Sequence, residues 1–179
     1  MIDVAALGAI VGAAVAWFGA AMLLLADGRR GISVGLFVTA LGEGAIAASS
    51  GQPAVAILLV AGAGIGGVLR LRDGQLGWGL LAPGSTPRLV LSILTLVGVL
   101  VIVESVQGST PALFATLAVS VLGISRLTST QRRSGALGGA ALLILGLAQL
   151  GGVQAAIAAA VAIVAIGIVP AEEPLGTAA

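Results

Sequence analysis

Residues 4–26 read VAALGAIVGAAVAWFGAAMLLLA, a run of 23 residues without a charged side chain. As a helix this run is long enough to cross the roughly 30 Å hydrocarbon core of a bilayer, which takes about 20 residues. Its positive residues follow it, in DGRRG at 27–31. Because a secretory signal peptide has its positive residues before the apolar run, we expect an uncleaved membrane helix.

The whole chain has the composition of a membrane protein. Hydrophobic residues make up 59% of its 179 residues and charged residues 8%, and its mean hydropathy is +1.19. A soluble domain has roughly 25% charged residues, because polar side chains must cover its surface. We therefore expect an all-α, polytopic protein that forms a single transmembrane domain, residues 1–179, in a lipid bilayer.

Several classes of function are excluded by composition. The chain contains no Cys, His or Tyr, so it has no disulfide, no thiolate or imidazole metal site and no Ser-His-Asp triad. We expect no cofactor, no metal and no enzymatic activity of the chain on its own. The net charge of +1 comes from eight arginines and seven acids without a clustered basic helix, so nucleic-acid binding is not expected.

Seven apolar segments are long enough to cross a bilayer. They lie near residues 4–26, 32–50, 53–70, 88–104, 110–125, 135–151 and 153–169. The last two belong to one uncharged run of 35 residues, 136–170, which as a single helix would measure about 52 Å. That is too long for one crossing, so we predict a break at Gly151 and Gly152. The expected fold is one anchor helix followed by three helical hairpins.

The arginines predict the orientation of these spans. All eight fall on one side, at Arg29, Arg30, Arg70, Arg72, Arg88, Arg126, Arg132 and Arg133. Because basic residues stay on the cytoplasmic side, we predict a bacterial plasma membrane protein with its N-terminus outside and its C-terminus inside. Residues 73–87 would form a cytoplasmic-side interfacial linker around Trp78, or alternatively a disordered loop, and residues 170–179 a flexible cytoplasmic tail.

Glu43 is the acid that lies deepest in an apolar segment, in TALGEGAIAAS at 39–49. An ionisable group inside the membrane costs at least about 2.5 kcal/mol, and we expect Glu43 to be protonated unless a cation pairs with it. It is a candidate proton or ion site, an interhelical or intersubunit hydrogen bond, or a group that faces water in a complex. Glu104 and Gln149 are lesser candidates, as boundary residues or as members of a polar path with Glu43.

Glycines at fourfold spacing predict close helix packing. Small residues one turn apart let helix backbones approach each other, which replaces the hydrophobic drive that lipid does not supply. The candidate packing glycines are Gly8 and Gly12, Gly62 and Gly66, and Gly135 and Gly139. This pattern indicates packing and no particular function.

The segment TPALFATLAVSVLGISRLTSTQRRSGALGGAALLILGLAQL, residues 110–150, resembles the membrane component E of energy-converting, group 4 hydrogenases. The later half of that family is similar to the K-type subunit of respiratory complex I. The resemblance rests on the Pro-Ala start of span 5, the pair Gln131 and Arg132, and the number of helices. It implies a subunit of a larger membrane arm. The family has a glutamate in its sixth helix where this chain has Leu145, so a proton path through span 6 is not implied.

The sequence leaves three functional hypotheses open. The first is a non-catalytic subunit of a bacterial energy-transducing membrane complex, with other integral membrane subunits as partners and Glu43 in a buried polar chain. The second is a small homo-oligomeric transporter or channel with a polar route along Glu43, Ser33, Thr39 and Ser49. The third is a membrane scaffold or assembly protein.

Overall fold

A computed structural model describes residues 3–72, 77–80, 85–105, 110–130 and 132–170. Over these ranges the chain forms seven α-helices, which confirms the predicted all-helical class. They are α1 (Val4–Leu25), α2 (Arg29–Ser49), α3 (Pro53–Arg70), α4 (Thr86–Ser105), α5 (Pro111–Ser129), α6 (Arg133–Ala148) and α7 (Gly152–Ile168). The predicted tail, 170–179, lies outside the described residues except for Pro170.

Local sequence signals explain where the helices begin. The side chain of Asp3 caps α1 by accepting a hydrogen bond from the Ala5 N–H at 3.1 Å, and Thr110 caps α5 by accepting one from the Leu113 N–H at 3.2 Å. The uncharged run 136–170 divides between α6 and α7 at Gly151 and Gly152. Gly152 has φ of +64°, a left-handed conformation that glycine adopts without steric cost.

The helices differ in length. Helices α1 to α5 are each long and apolar enough to cross a membrane. Helices α6 and α7 have 16 and 17 residues, which corresponds to about 24 and 26 Å, somewhat less than the hydrocarbon thickness of about 30 Å. Five candidate spans are therefore present among the described residues, and the crossing of α6 and α7 stays a prediction.

The packing agrees with the predicted hairpins only in part. The most extensive interface is between α1 and α2, followed by those of α5 with α6, of α3 with α7 and, almost equally, of α2 with α3, which is the first predicted hairpin; the other two hairpins, α4 with α5 and α6 with α7, have smaller interfaces. Helix α1, expected as an anchor that precedes three hairpins, is thus part of the core of the bundle. Helix α4 is peripheral, and its main neighbours are α5 and α1.

Glycines bring α1 and α2 into backbone contact. A Cβ added to Gly12 of α1 would lie 2.8 Å from the carbonyl oxygen of Gly42 on α2, and one added to Gly35 would lie 2.8 Å from the backbone nitrogen of Leu23. A Cβ on Gly42 would overlap the backbone of Ala16. At these three positions the two helices therefore approach more closely than a residue with a Cβ atom would allow.

The other predicted packing glycines lie in different surroundings. A Cβ on Gly62 would lie 2.6 Å from the Cα of Ala160 on α7, and one on Gly66 would lie 2.8 Å from a side-chain carbon of Ile163 on the same helix. These two glycines therefore face α7 at the α3–α7 interface. Gly8 faces the end of α2, near the side chain of Ser49.

The pair Gly135 and Gly139 divides between two settings. Gly139 of α6 faces α5, where an added Cβ would lie 2.8 Å from the carbonyl oxygen of Gly123. Gly135 lies instead against Thr130 in the turn before α6. Fourfold glycine spacing therefore does not always place both members of a pair at a helix interface.

The outer surface of the bundle is apolar. On α4 the exposed large hydrophobic residues are Leu89, Val90, Ile93, Leu94, Val97, Leu100, Val101 and Ile102. Soluble monomers rarely expose contiguous apolar patches larger than a few hundred Å². A surface of this kind suits lipid or another membrane helix.

We predict that Gly42→Ala weakens the bundle, because the new methyl group must push α1 and α2 apart. Overpacking of this kind costs about 1–3 kcal/mol. The matched control is Gly98→Ala, since a Cβ at Gly98 meets nothing within 4 Å and alanine is the better helix former. Unfolding in mixed detergent micelles measures both variants, and equal stability of the two would contradict the close approach.

Candidate functional site

The arginines gather at one end of the bundle, here called the arginine end. Arg126 in the last turn of α5 donates from Nη1 to the carbonyl oxygen of Leu24 in α1, at 3.0 Å. Arg70 at the end of α3 donates from Nη1 to the carbonyl oxygen of Val169 after α7, at 2.9 Å. Nη1 of Arg29, which follows α1, donates to the carbonyl oxygen of Arg72, which follows α3, at 3.5 Å, so the ends of α1, α3, α5 and α7 lie at the same end of the bundle.

Asp27, between α1 and α2, joins two arginines at this end. Its Oδ1 accepts hydrogen bonds from Nη1 of Arg88 at 2.9 Å and from Nη2 of Arg126 at 3.1 Å. Nη2 of Arg126 also donates to the carbonyl oxygen of Ala26 at 2.6 Å, and the side chain of Arg126 is only 1% exposed. One carboxylate thereby ties α4 and α5 to the turn between α1 and α2.

The charge of Asp27 is stabilised by these neighbours. Burial by itself raises the pKa of Asp27, but the hydrogen bonds and positive charges of Arg88 and Arg126 outweigh burial and hold the pKa below its ordinary value of 3.8. Asp27 is therefore ionised at neutral pH, and the ion pairs persist over the whole physiological pH range.

Part of the predicted linker, residues 77–80, lies against the same turn. The N–H of Asp27 donates to the carbonyl oxygen of Gly79 at 3.1 Å, and the N–H of Arg30 donates to that of Gly77 at 3.2 Å. Trp78 is 48% exposed, while the neighbouring leucines 76 and 81 lie outside the described residues. Residues 77–80 thus cover the turn that contains Asp27.

A polar pocket of about 330 Å³ opens beside this cluster. It is lined by Asp27, Arg88, Ser129, Thr130 and Arg132, from the α1–α2 turn, the start of α4 and the α5–α6 turn. The Oγ1 of Thr130 accepts a hydrogen bond from the N–H of Arg132 at 3.2 Å, which shapes the α5–α6 turn.

Glu43 lies inside the bundle with 0% of its surface exposed. Neither of its carboxyl oxygens has a partner with hydrogen-bond geometry among the described residues, although the Gln149 side chain lies close enough to interact with the carboxyl group. It precedes Ser49, the end of α2, by six residues, which is about 9 Å along the helix axis. It follows Arg29 at the arginine end by about 21 Å, so it is nearer to the opposite end.

Gln149, one of the two lesser candidates, contacts Glu43. Its Nε2 donates to the backbone carbonyl oxygen of Glu43 at 2.7 Å, from the C-cap of α6. Glu104 is exposed at the end of the peripheral helix α4. The structure thus brings Gln149 and Glu43 together and leaves Glu104 at the surface.

Two of the three hydroxyl groups considered for a polar route donate hydrogen bonds within α2 itself, and the buried Ser33 hydroxyl has no partner among the described residues. Oγ1 of Thr39 donates to the carbonyl oxygen of Gly35, and Oγ of Ser49 to that of Ala45, both at 2.8 Å. Ser33 lies ten residues before Glu43 on α2, about 15 Å away along the axis. These groups do not form a hydrogen-bonded chain with Glu43.

A separate apolar cleft of about 500 Å³ lies between α1, α4 and α5. Trp17 lines it together with Leu96, Leu100 and Phe114, and its indole N–H is buried without a partner in the described part of the chain. The cleft suits an apolar chain. The described residues contain no group of three or more His, Cys, Asp or Glu that could hold a metal ion.

Sequence reasoning missed the pairing of Asp27 with Arg126. Both residues were considered only as charges that flank spans, and span 5 was expected to end at 125. A signal was present, because the helical pattern continues past Arg126 through Leu127, and α5 extends to Ser129. An arginine inside the last helical turn has to find acceptors on neighbouring helices.

No protein-family model, curated protein or solved structure matches the chain.

We predict that Asp27→Asn destabilises the protein by about 2 kcal/mol. Removing one partner of a buried ion pair costs about 3–5 kcal/mol, and the loss is smaller here because Asp27 is partly exposed and Arg126 keeps two carbonyl acceptors. Asp3→Asn is the matched control, since asparagine caps a helix as well as aspartate does. Denaturation in detergent compares the two variants with the wild type.

The same pair gives a pH dependence. Because the pKa of Asp27 is lowered in the folded protein, its stabilisation is present above the ordinary carboxyl pKa and is lost as pH falls through the lowered value. Stability of the wild type should fall more steeply on acidification than that of Asp27→Asn. Parallel curves for the two proteins would show that Asp27 is not stabilised by its arginines.

Proposed function

We propose that this protein is a non-catalytic, multi-pass membrane subunit of a bacterial energy-transducing complex, and that Glu43 is its buried protonatable group. The observation that supports this proposal is the complete burial of the Glu43 carboxyl without a hydrogen-bond partner among the described residues. Buried polar groups in proteins nearly always have partners, and an exception calls for an explanation. The exception is explained if the Glu43 carboxyl takes up and releases a proton, or if it contacts a partner subunit.

The contact between α2 and α6 supports the same proposal. Gln149 binds the backbone of Glu43 from α6, and Leu145 lies one turn before Gln149 on the same face of α6. Leu145 is the position at which the resembled hydrogenase family has its glutamate. In this chain α2 therefore supplies a carboxyl next to the helix that lacks one.

The apolar surface supports a membrane location and a place for partners. We propose that all seven helices cross the bilayer and that the arginine end faces the cytoplasm. The N-terminal end of α1 then lies outside and its C-terminal end lies at the cytoplasmic side. The shorter α6 and α7 are accommodated by local thinning of the bilayer, at a modest cost. The exposed face of α4 is then available to lipid or to helices of neighbouring subunits.

The proposed orientation predicts the outcome of cysteine labelling, for which the chain is suited because it contains no native cysteine. Gln52→Cys, between α2 and α3, should react with a membrane-impermeant maleimide in intact cells. Ser129→Cys, at the exposed end of α5, should react only after the cells are opened. Labelling of both positions from one side would contradict the topology.

The role of Glu43 predicts a divergence between stability and activity. Glu43→Gln and Glu43→Met both keep a side chain of similar length. Only Glu43→Met removes the unpartnered polar atoms, so this variant should have a free energy of unfolding about 1 kcal/mol higher than the wild type. Purification in mild detergent should recover both variants with hydrogenase-type or quinone-reductase-type subunits, while proton-coupled activity of that complex is lost in both.

Other outcomes favour the alternatives. A loss of stability in Glu43→Met with normal stability in Glu43→Gln would indicate a hydrogen bond to a partner subunit rather than proton transfer. Recovery of the wild type as a small homo-oligomer would favour a transporter or channel, and recovery with full proton-coupled activity in both variants would favour a scaffold.

A further inference from the structure

The polar pocket at the arginine end combines a cavity with an excess of positive charge. Of the seven acids in the chain, Asp3 and Glu104 lie at the opposite end and Glu43 lies inside α2, so at most four acids can balance the eight arginines. Asp27 is already shared by Arg88 and Arg126. Counted over side chains alone, the arginine end therefore has a net charge of at least +4, and it attracts anions.

The walls of the pocket supply donors suited to a phosphate group. Arg88 stands in the first turn of α4 and Arg132 is the N-cap of α6, so the positive ends of two helix dipoles lie beside the guanidinium groups. Ser129 and Thr130 add hydroxyl groups on the third wall.

We propose that this pocket binds a phosphate group. At about 330 Å³ it has room for a phosphodiester headgroup, and Asp27 holds Arg88 in place on one wall while Arg132 lines another. Basic pockets between helices on the cytoplasmic side of a membrane bind anionic lipid headgroups. This inference rests on the proposed membrane location for its lipid source, whereas the phosphate chemistry of the pocket does not depend on it.

The test uses the full chain purified in mild detergent and native mass spectrometry with phosphatidylglycerol or phosphatidylcholine. Arg132→Gln should weaken phosphatidylglycerol binding by about tenfold, the effect of one charge-assisted hydrogen bond. The matched control is Arg30→Gln, which removes the same charge from an exposed arginine at the same end and should change binding by less than about twofold.

A second variant and a second ligand complete the experiment. Ser129→Ala removes one hydroxyl from the pocket without removing a charge and should weaken binding in the same direction by a smaller factor. Inorganic phosphate is added to delipidated protein, and thermal unfolding is followed for the wild type and for Arg132→Gln. An increase in Tm that is lost in Arg132→Gln, without a preference for phosphatidylglycerol, would assign the pocket to soluble phosphate.

The outcomes separate this inference from the proposed function. Equal weakening by Arg132→Gln and Arg30→Gln, or no response to either ligand, would overturn the pocket and would leave the cysteine-labelling result untouched. Labelling of both cysteine positions from one side would overturn the membrane orientation, while a phosphate response that depends on Arg132 would still support the pocket.

Discussion

The direct contact between the backbones of α1 and α2 is the constraint on which the rest of the bundle depends. In the proposed lipid surroundings apolar side chains gain nothing by leaving the solvent, so helices associate through van der Waals contact and polar groups. Gly12, Gly35 and Gly42 allow that contact. The interface places α2 inside the bundle, and so places Glu43 where no solvent reaches it.

The two ends of the bundle differ in the hydrogen-bond partners of their ionisable side chains. At the arginine end one carboxylate, Asp27, holds Arg88 and Arg126, and two backbone carbonyl groups at the end of α1 accept two further hydrogen bonds from Arg126. Toward the opposite end, the Glu43 carboxyl has no such set of partners in the described residues. The first arrangement holds helices together, whereas the second keeps a polar group available for a proton or a partner subunit.

The glycine pattern predicts which residues pack closely but does not predict which helix they pack against. Fourfold spacing predicted close packing, and Gly62 and Gly66 do face α7, yet the partner helix could not be read from the sequence. Ala-, Gly- and Val-rich helices are chemically alike, so many pairings would satisfy the same pattern. The tertiary structure pairs α3 with α7 and α1 with α2, across the boundaries of the expected hairpins.

The sequence by itself determined the helical class, the number of helices and the clustering of arginines at one end. These features follow from the lengths of apolar runs and the positions of charges, which are local properties of the chain. Only the tertiary structure decided that Gln149 meets Glu43, and that Arg126 reaches Asp27 about a hundred residues earlier in the chain. Such contacts depend on helix rotation and neighbour choice, and no local residue pattern encodes either.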